Sequence, residues 1–242
     1  MPCTFLERCQ IIGAKPRGFM PISKKNSQSL AAYNEIKRRI LAGDFAADDR
    51  LREINVADHL GMGRTPVREA LKRLEDEGLL THEPRRGLVV TRIDQRGVTE
   101  LYAMREVLEG AAAEFAARHA TDAEIENMAA ILEDERQPGA DAVALNLAFH
   151  NAIYAAAHNR HLIRSLNAVT DTTYLLGRST LAVQQRAAKA NEEHSAIIAA
   201  IRARDPQAAG EAARHHIRQA YLERLRMLRE LTVHTEHEQE SS

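Results

Sequence analysis

The chain has 242 residues, of which 44% are hydrophobic and 28% are charged, and its formal net charge is −1. This composition is typical of a globular protein with a sizeable core, and it excludes a disordered chain. No apolar run approaches the roughly 18 residues that a membrane span needs, and no signal peptide is recognisable. Because Cys3 and Cys9 are the only cysteines, we expect a protein of the reducing cytoplasm rather than a secreted disulfide scaffold.

Charge is distributed unevenly along the chain. Residues 24–92 carry a net charge of +3, whereas residues 93–242 carry −6. A basic front and an acidic back indicate that the front binds a polyanion. On charge alone, ordinary variation between segments explains a net +3 equally well.

The first 26 residues predict a mobile tail, because they lack sustained periodicity. Their breaks fall at Gly13, Pro16, Gly18 and Pro21. Met20 opens a more ordinary sequence, which suggests the hypothesis that residues 1–19 belong to a mis-assigned start.

Residues 27–93 predict a winged helix-turn-helix domain. Apolar residues at helical spacing indicate three short helices, over residues 30–41, 53–60 and 65–78. Thr65 is the predicted cap of the third helix, with Pro66 at its first position. The following LLTHEPRRGLVVTRI predicts two short strands around a turn at Pro84–Gly87. Three helices followed by a β-hairpin are typical of the winged helix.

The segment GRTPVREALKRLEDEGLL, residues 63–80, carries the sharpest functional signal. Recognition helices contact base edges with their N-terminal residues, and arginine pairs bidentately with guanine. Lysine further along suits phosphates, and basic residues beside a glycine at the hairpin tip suit the DNA backbone or minor groove. Solvated surface charges are the alternative, but the clustering favours DNA. The candidate DNA-binding residues are Arg64, Thr65, Arg68, Lys72, Arg85, Arg86 and Gly87.

After a joint at residues 92–96, every predicted element is a helix. The predicted helices cover residues 97–119, 121–136, 141–157, 160–178, 184–204 and 206–231, and a polar tail covers 233–242. The expected fold is therefore mainly α, with an N-terminal winged helix-turn-helix and an all-α bundle over residues 97–232.

Three of the eleven histidines share a helix face with apolar residues: His150, His194 and His216. Asn146 precedes His150 by one turn and adds an oxygen ligand, whereas His215 points away. One such histidine is more often a core residue, but three on separate helices favour a divalent ion such as Zn²⁺, Ni²⁺ or Mn²⁺.

Two arginines of the back domain are candidates for binding an effector carboxylate. Arg105 lies on its first helix, and Arg178 follows the segment TYLLG. A guanidinium facing a cavity would bind a carboxylate bidentately. The alternative for Arg105 is a salt bridge to Glu109 one turn away.

Residues 30–93 resemble the DNA-binding domain of the GntR family of bacterial transcription regulators. The matching residues are Leu51, Glu53, Ala57, Leu60-Gly61, Arg64 to Leu71, Leu74-Glu75, Glu77 to Leu79 and Arg85 to Gly87. The resemblance implies that Arg64 and Arg68 contact the operator and that Gly87 lies at the wing tip. Gly63 replaces the usual Ser or Thr, and Ile54 replaces an arginine that some members carry, so these two DNA contacts are not expected.

Residues 97–230 resemble the all-helical FCD effector domain of the FadR-type branch. The matching pieces are Arg105, Leu108-Glu109, Phe149-His150, Asn159, Leu162, His194, Ile197-Ile198, Ile201, Asp205 and His216-Ile217. The resemblance implies a metal held by Asn146, His150, His194 and His216. Asn146 replaces the commoner Asp, so the ion keeps more positive charge and favours an anionic effector.

We therefore expect a cytoplasmic, homodimeric repressor that binds a roughly palindromic operator and responds to a small organic acid held at the metal. One alternative is a metallohydrolase fused to a DNA-binding module, and another is a structural dimerisation domain with core histidines. The enzyme is disfavoured because the chain has no HExxH motif. We also expect no carboxylate beside the three histidines as an evident general base, because Glu193 projects to a different side of its helix from His194.

Overall fold

The computed structural model describes residues 24–182 and 184–240, with the side chains of residues 27–181 and 185–230. Its N-terminal part holds α1 (Lys24–Ala42), α2 (Glu53–Leu60), α3 (Arg64–Asp76), β1 (Leu80–Glu83) and β2 (Gly87–Val90). The predicted winged helix-turn-helix is confirmed. The predicted start at Met20 and the tail before residue 24 lie outside the described residues.

The winged helix forms around the apolar faces of α1 and α3. Ile36 of α1 and Leu71 and Leu74 of α3 are fully buried there, together with Leu80 of β1. The two strands pair antiparallel, with Leu80 opposite Val90. This core fixes the direction of α3 relative to the hairpin.

Two helix starts differ from the sequence-based expectation. Helix α1 begins at Lys24 rather than at residue 30, because no Gly or Pro interrupts residues 24–29. Helix α3 begins at Arg64 with the extended Gly63 as its N-cap, so Thr65 lies inside the first turn and does not cap the helix. Pro66 is tolerated in that turn because its position needs no N–H donor.

The C-terminal part is a bundle of six long helices. They are α4 (Gln95–His119), α5 (Asp122–Glu135), α6 (Ala142–Ala156), α7 (Arg160–Tyr174), α8 (Gln184–Arg202) and α9 (Pro206–Glu240). Side chains cap five of them, from Asp94, Thr121, Asp141, Asn159 and Asp205. The core combines alanines of α4 with Phe149, Ile197 and Ile201. The mainly α fold is therefore confirmed, and among the described residues no helix has the length and apolar character to cross a bilayer.

Helices α4 and α9 approach each other closely at two glycines. A Cβ on Gly110 would lie 2.8 Å from Cγ of Arg214, and a Cβ on Gly210 would lie 2.6 Å from Oε1 of Glu114. The space is filled by the ion pair between Arg214 and Glu114, which spans 2.5 Å. Small residues thus set the distance between the two helices.

Two helix ends also differ from expectation. Helix α7 ends at Tyr174 rather than at residue 178, and Gly177 follows with a φ of 72°. Helix α9 continues to Glu240 rather than ending at 231 before a polar tail, because no Gly or Pro stops it.

The two domains contact each other through α1 and α7. Nζ of Lys37 lies 2.5 Å from Oδ2 of Asp171. Leu175, just after α7, packs against the core of the winged helix. The end of α7 is therefore part of the joint between the domains.

Candidate metal centre and DNA-binding surface

Three imidazoles from three helices converge in the bundle. His150 lies on α6, His194 on α8 and His216 on α9, and one ring nitrogen of each lies within 4.8 Å of the other two. Nε2 of His194 is 3.4 Å from Nε2 of His216. All three side chains are buried. The structure thus brings together the three histidines that the sequence singles out.

A carboxylate faces the outer nitrogen of each imidazole. Nδ1 of His150 lies 2.7 Å from Glu109, and Nδ1 of His216 donates to Glu193 over 2.7 Å. Nδ1 of His194 lies 3.6 Å from Glu135, which is beyond hydrogen-bond distance. A proton held on Nδ1 leaves the lone pair on Nε2. For His150 and His216 the carboxylates thus favour the tautomer in which the inward nitrogen can bind a cation.

Carboxylates do stand beside the histidines, but not in the position of a general base. Glu193 does project away from His194, but it projects towards His216 on the neighbouring helix. Spacing within one helix cannot show a contact made between two helices. Because these carboxylates face Nδ1 and not the inward Nε2 atoms, they orient the rings rather than stand ready as a base for a molecule at the centre.

Burial sets the protonation states of the cluster. It lowers the pKa of His194 to about 4, and burial together with the neighbouring imidazoles lowers the pKa of His216 well below its usual value. Burial alone would raise the pKa of Glu109, but the charge of Arg105 and the hydrogen bond from His150 outweigh it and hold that pKa at about 2. At neutral pH the two imidazoles are therefore neutral, which is the form that binds metals, and Glu109 is ionised.

Two observations test whether a metal ion fits this cluster. Nε2 of His150 is fully buried and has no hydrogen-bond partner among the described residues. Nε2 of His194 and Nε2 of His216 face each other over 3.4 Å, and the hydrogen bond from Nδ1 of His216 to Glu193 leaves the lone pair of His216 on Nε2. A cation among the three nitrogens would satisfy all of them at once, so the donor set fits a borderline divalent ion.

A cavity of about 250 Å³ adjoins the histidines. Asn146 and His150 line it from α6, His216 lines it from α9, and Arg105 lines it from α4. Arg105 also pairs with Glu109 over 2.8 Å, so the same side chain forms the salt bridge and faces the cavity.

Arg178 does not lie where the sequence predicts. Its side chain is exposed and does not line the cavity, because α7 ends at Tyr174 and the left-handed Gly177 turns the chain. Arg186 and Arg224, which are not among the predicted residues, line the cavity instead. Each lies eight residues from a candidate ligand, Arg186 before His194 and Arg224 after His216. That spacing keeps the same helix face and is the signal that points to both.

The predicted recognition residues are exposed at the start of α3. Nε and Nη2 of Arg68 donate to the two carboxylate oxygens of Glu53 on α2, over 2.8 and 2.9 Å. Arg64 lies 3.9 Å from the same carboxylate. Thr65 and Lys72 are exposed on the same helix. Arg64 and Arg68 therefore place basic groups at the N-terminal end of α3, which is the end of a recognition helix that contacts base edges.

The predicted wing residues lie in the hairpin turn. Arg86 donates to Glu83 and to the carbonyl oxygen of Asp48, each over 2.7 Å, so it is held against the body of the domain. Arg85 is exposed with a φ of 67°, and Gly87 has a φ of 81°. Arg85 is thus the basic side chain that the turn presents outward.

Comparison with known proteins identifies the family. The family model for bacterial regulatory proteins of the gntR family matches residues 28–90, and the model for the FCD domain matches residues 100–219. A probable D-xylose utilization operon transcriptional repressor of Paenarthrobacter nicotinovorans is 31% identical over 77% of this chain and 84% of its own. The chain belongs to the GntR family. It is a DNA-binding transcriptional regulator with an FCD effector domain, and the expectation that it is not an enzyme is confirmed.

A further relative and a solved structure also resemble this chain. An uncharacterised HTH-type transcriptional regulator of Bacillus subtilis is 29% identical over 81% of this chain and 88% of its own. The solved structure of McbR/YncC of Escherichia coli superposes with a TM-score of 0.70 over 83% of this chain and 98% of its own, at 22% identity. That structure shares the fold of this GntR regulator.

The buried position of Glu109 leads to a stability prediction. In Glu109→Gln, the buried Arg105 loses its charge partner, so the free energy of unfolding should fall by about 3–5 kcal/mol. Glu106→Gln, on the same helix, removes a partly exposed pair with Arg218 and should cost at most about 1 kcal/mol. Urea denaturation followed by circular dichroism measures both, and equal losses would contradict the special role of the buried pair.

Proposed function

We propose that this GntR regulator is a repressor that binds a roughly palindromic operator as a homodimer in the cytoplasm. A small organic acid, bound next to a metal ion in the bundle, controls its affinity for DNA. The exposed basic cluster at the start of α3 supports the DNA-binding part most directly. Two relatives carry the word repressor in their names, which supports the sign of the regulation.

Glu53 positions the side chain proposed to select the operator sequence. Its carboxylate holds the guanidinium of Arg68 through two hydrogen bonds. Because the pair is exposed, it contributes little to stability and the guanidinium is free to rearrange on DNA. A pre-oriented guanidinium loses less entropy when it pairs with O6 and N7 of guanine.

We expect Arg68→Ala and Lys72→Ala to weaken DNA binding in different ways. Arg68→Ala should cost about 1–3 kcal/mol at the operator and reduce discrimination at one base pair. Lys72→Ala should weaken operator and random DNA about equally and lower the salt slope by about one. Fluorescence anisotropy on both DNAs at several salt concentrations measures this. Unchanged selectivity in Arg68→Ala would mean that α3 is not the recognition helix.

An exposed apolar pair on α4 supports the proposed homodimer. Met104 is 50% exposed and Val107 is 60% exposed, and they lie three residues apart on one face of the helix. A second copy bound to this face would bury both side chains. Two linked winged helices would then bind two half-sites with a higher effective concentration than separate domains.

His150, His194 and His216 would hold the metal, with Asn146 as the oxygen ligand. The first three offer Nε2 atoms that converge in a buried space, and Asn146 lines the adjoining cavity one turn from His150. A bound divalent ion would supply a Lewis-acidic site for a carboxylate oxygen. Zn²⁺ fits an imidazole donor set best, with Ni²⁺ and Mn²⁺ as other candidates.

The metal proposal predicts close to one divalent transition ion per chain. His150→Ala, His194→Ala and His216→Ala should each lose most of it, because each removes a converging nitrogen. His215→Ala is the matched control, since this neighbouring histidine is exposed and should leave the metal content unchanged. Elemental analysis of purified protein measures the content, and circular dichroism checks that each variant is folded.

The alternative of a structural domain with core histidines makes the opposite forecast. Carefully handled protein would then contain no metal, and the three variants would lose stability without losing any ion. Asn146→Asp separates the two further, because a charged oxygen should tighten metal binding and would have no such effect in an empty core.

Helix α7 links the cavity to the winged helix in the proposed regulation. Thr170, Thr173 and Tyr174 line the cavity. Asp171, between them, pairs with Lys37 of α1, and Leu175 packs on the winged-helix core. A ligand that moves this end of α7 would change the position of the DNA-binding domain. Differential affinity for two such positions is all that the regulation needs.

This coupling predicts a measurable loosening of the joint. Asp171→Asn should free Lys37 from its partner at a cost of about 1 kcal/mol, which corresponds to about fivefold faster hydrogen exchange in α1. Asp134→Asn, an exposed change on α5, is the control. Hydrogen–deuterium exchange with mass spectrometry measures both variants. Unchanged exchange in α1 would show that the ion pair does not hold the domains together.

A further inference from the structure

Helix α9 connects the histidine cluster to a second cationic group in the same cavity. His216, Ala220 and Arg224 stand at successive turns of α9, and all three line the cavity. At 1.5 Å rise per residue, the Cα atoms of His216 and Arg224 lie about 12 Å apart. The cavity therefore has the histidines at one position along α9 and a guanidinium two turns further.

Arg224 is buried without a carboxylate partner. Arg224 is only 5% exposed. Within the part of the chain that the structure describes, no acidic residue pairs with it. Nη1 donates to the carbonyl oxygen of Leu176 over 3.1 Å, and Nε is buried without a hydrogen bond. A buried charge without a counterion is costly, so an opposite charge is missing from this site.

The other two arginines of the cavity differ in this respect. Arg105 pairs with Glu109 over 2.8 Å, and Arg186 binds both oxygens of Glu193 over 2.8 and 3.1 Å. Both glutamates are also the partners of candidate metal ligands. Arg224 is thus the lining arginine whose charge no described carboxylate neutralises, and no Asp or Glu among the described residues lines the cavity.

We propose that the effector carries two carboxylates, one for the histidine end of the cavity and one that pairs with Arg224. This inference rests on the proposed function, because it assigns the ligand class of the proposed effector cavity. A guanidinium binds a carboxylate through charge-assisted hydrogen bonds in a planar geometry that a hydroxyl or an alkyl end cannot reproduce. The volume of about 250 Å³ restricts the ligand to a small dicarboxylate.

Metal-loaded, full-length protein tests the assignment with defined probes. The probes are the linear dicarboxylates from malonate to adipate and, for each, the monocarboxylate with the same number of carbons. Thermal shift titrations give apparent affinities, and metal content is measured after each titration. In the natural protein, the best dicarboxylate should bind about tenfold or more tightly than its matched monocarboxylate.

Variants of Arg224 should remove that preference selectively. Arg224→Met should lower the affinity for the best dicarboxylate about tenfold or more, and leave monocarboxylate binding and metal content unchanged. Arg224→Lys, which keeps the charge without the planar fork, should recover part of the loss and serves if the methionine variant does not fold. Arg178→Met, an exposed arginine outside the cavity, should behave like the natural protein.

The outcomes separate this inference from the proposed function. A metal-loaded protein that binds both series equally, or neither series, overturns the assignment of Arg224, as does a dicarboxylate preference that survives in Arg224→Met. A protein that holds no metal and responds to neither series overturns the effector site itself.

Discussion

The contact between an imidazole Nδ1 and a buried glutamate organises the effector domain. It occurs at 2.7 Å for His150 with Glu109 and for His216 with Glu193. Burying an imidazole and a carboxylate is costly unless each finds a partner, so every such pair restricts how its helices can pack. Because the outer nitrogens are occupied, the inner ones are left to face each other. The tendency to bind a cation therefore follows from the pairing of buried imidazoles with glutamates, which the packing of the bundle requires.

The same glutamates join the histidine cluster to the wall of the cavity. Glu109 contacts both His150 and Arg105, and Glu193 contacts both His216 and Arg186. Each carboxylate thus balances one imidazole and one guanidinium. A ligand that moves Arg105 would therefore act on His150 through Glu109. In the same way, a ligand that moves Arg186 would act on His216 through Glu193. Ligand and metal are therefore expected to be linked in their binding, and by thermodynamic reciprocity the linkage acts in both directions.

Much of the fold could be predicted because local rules decide it. Apolar spacing gives the helices, and Gly61 and Gly177, both with positive φ, end helices or turns as glycine does elsewhere. The inward faces of the three histidines follow from the helical period alone. The contact of Glu193 with His216 could not be predicted, because it joins two helices whose relative rotation is set by tertiary packing. The prediction that Arg178 faces the cavity is wrong for a related reason, since the direction of its side chain depends on the residue at which α7 ends.

The net charge of the C-terminal part is opposite in sign to the charge of the side chains that line its cavity. Residues 93–242 carry a net −6, yet among the described residues the cavity is lined by arginines and by no acidic side chain. Glu109, Glu135 and Glu193 lie behind the histidines, so the charge that faces the cavity opposes the net charge of the domain. An acidic exterior keeps the bundle away from the phosphates of DNA, while the basic α3 is drawn towards them. Binding of an anion inside the cavity would neutralise part of the interior charge beside α7. Since α7 contacts the winged helix through Asp171 and Leu175, the element that senses that change is also the one that contacts the DNA-binding domain.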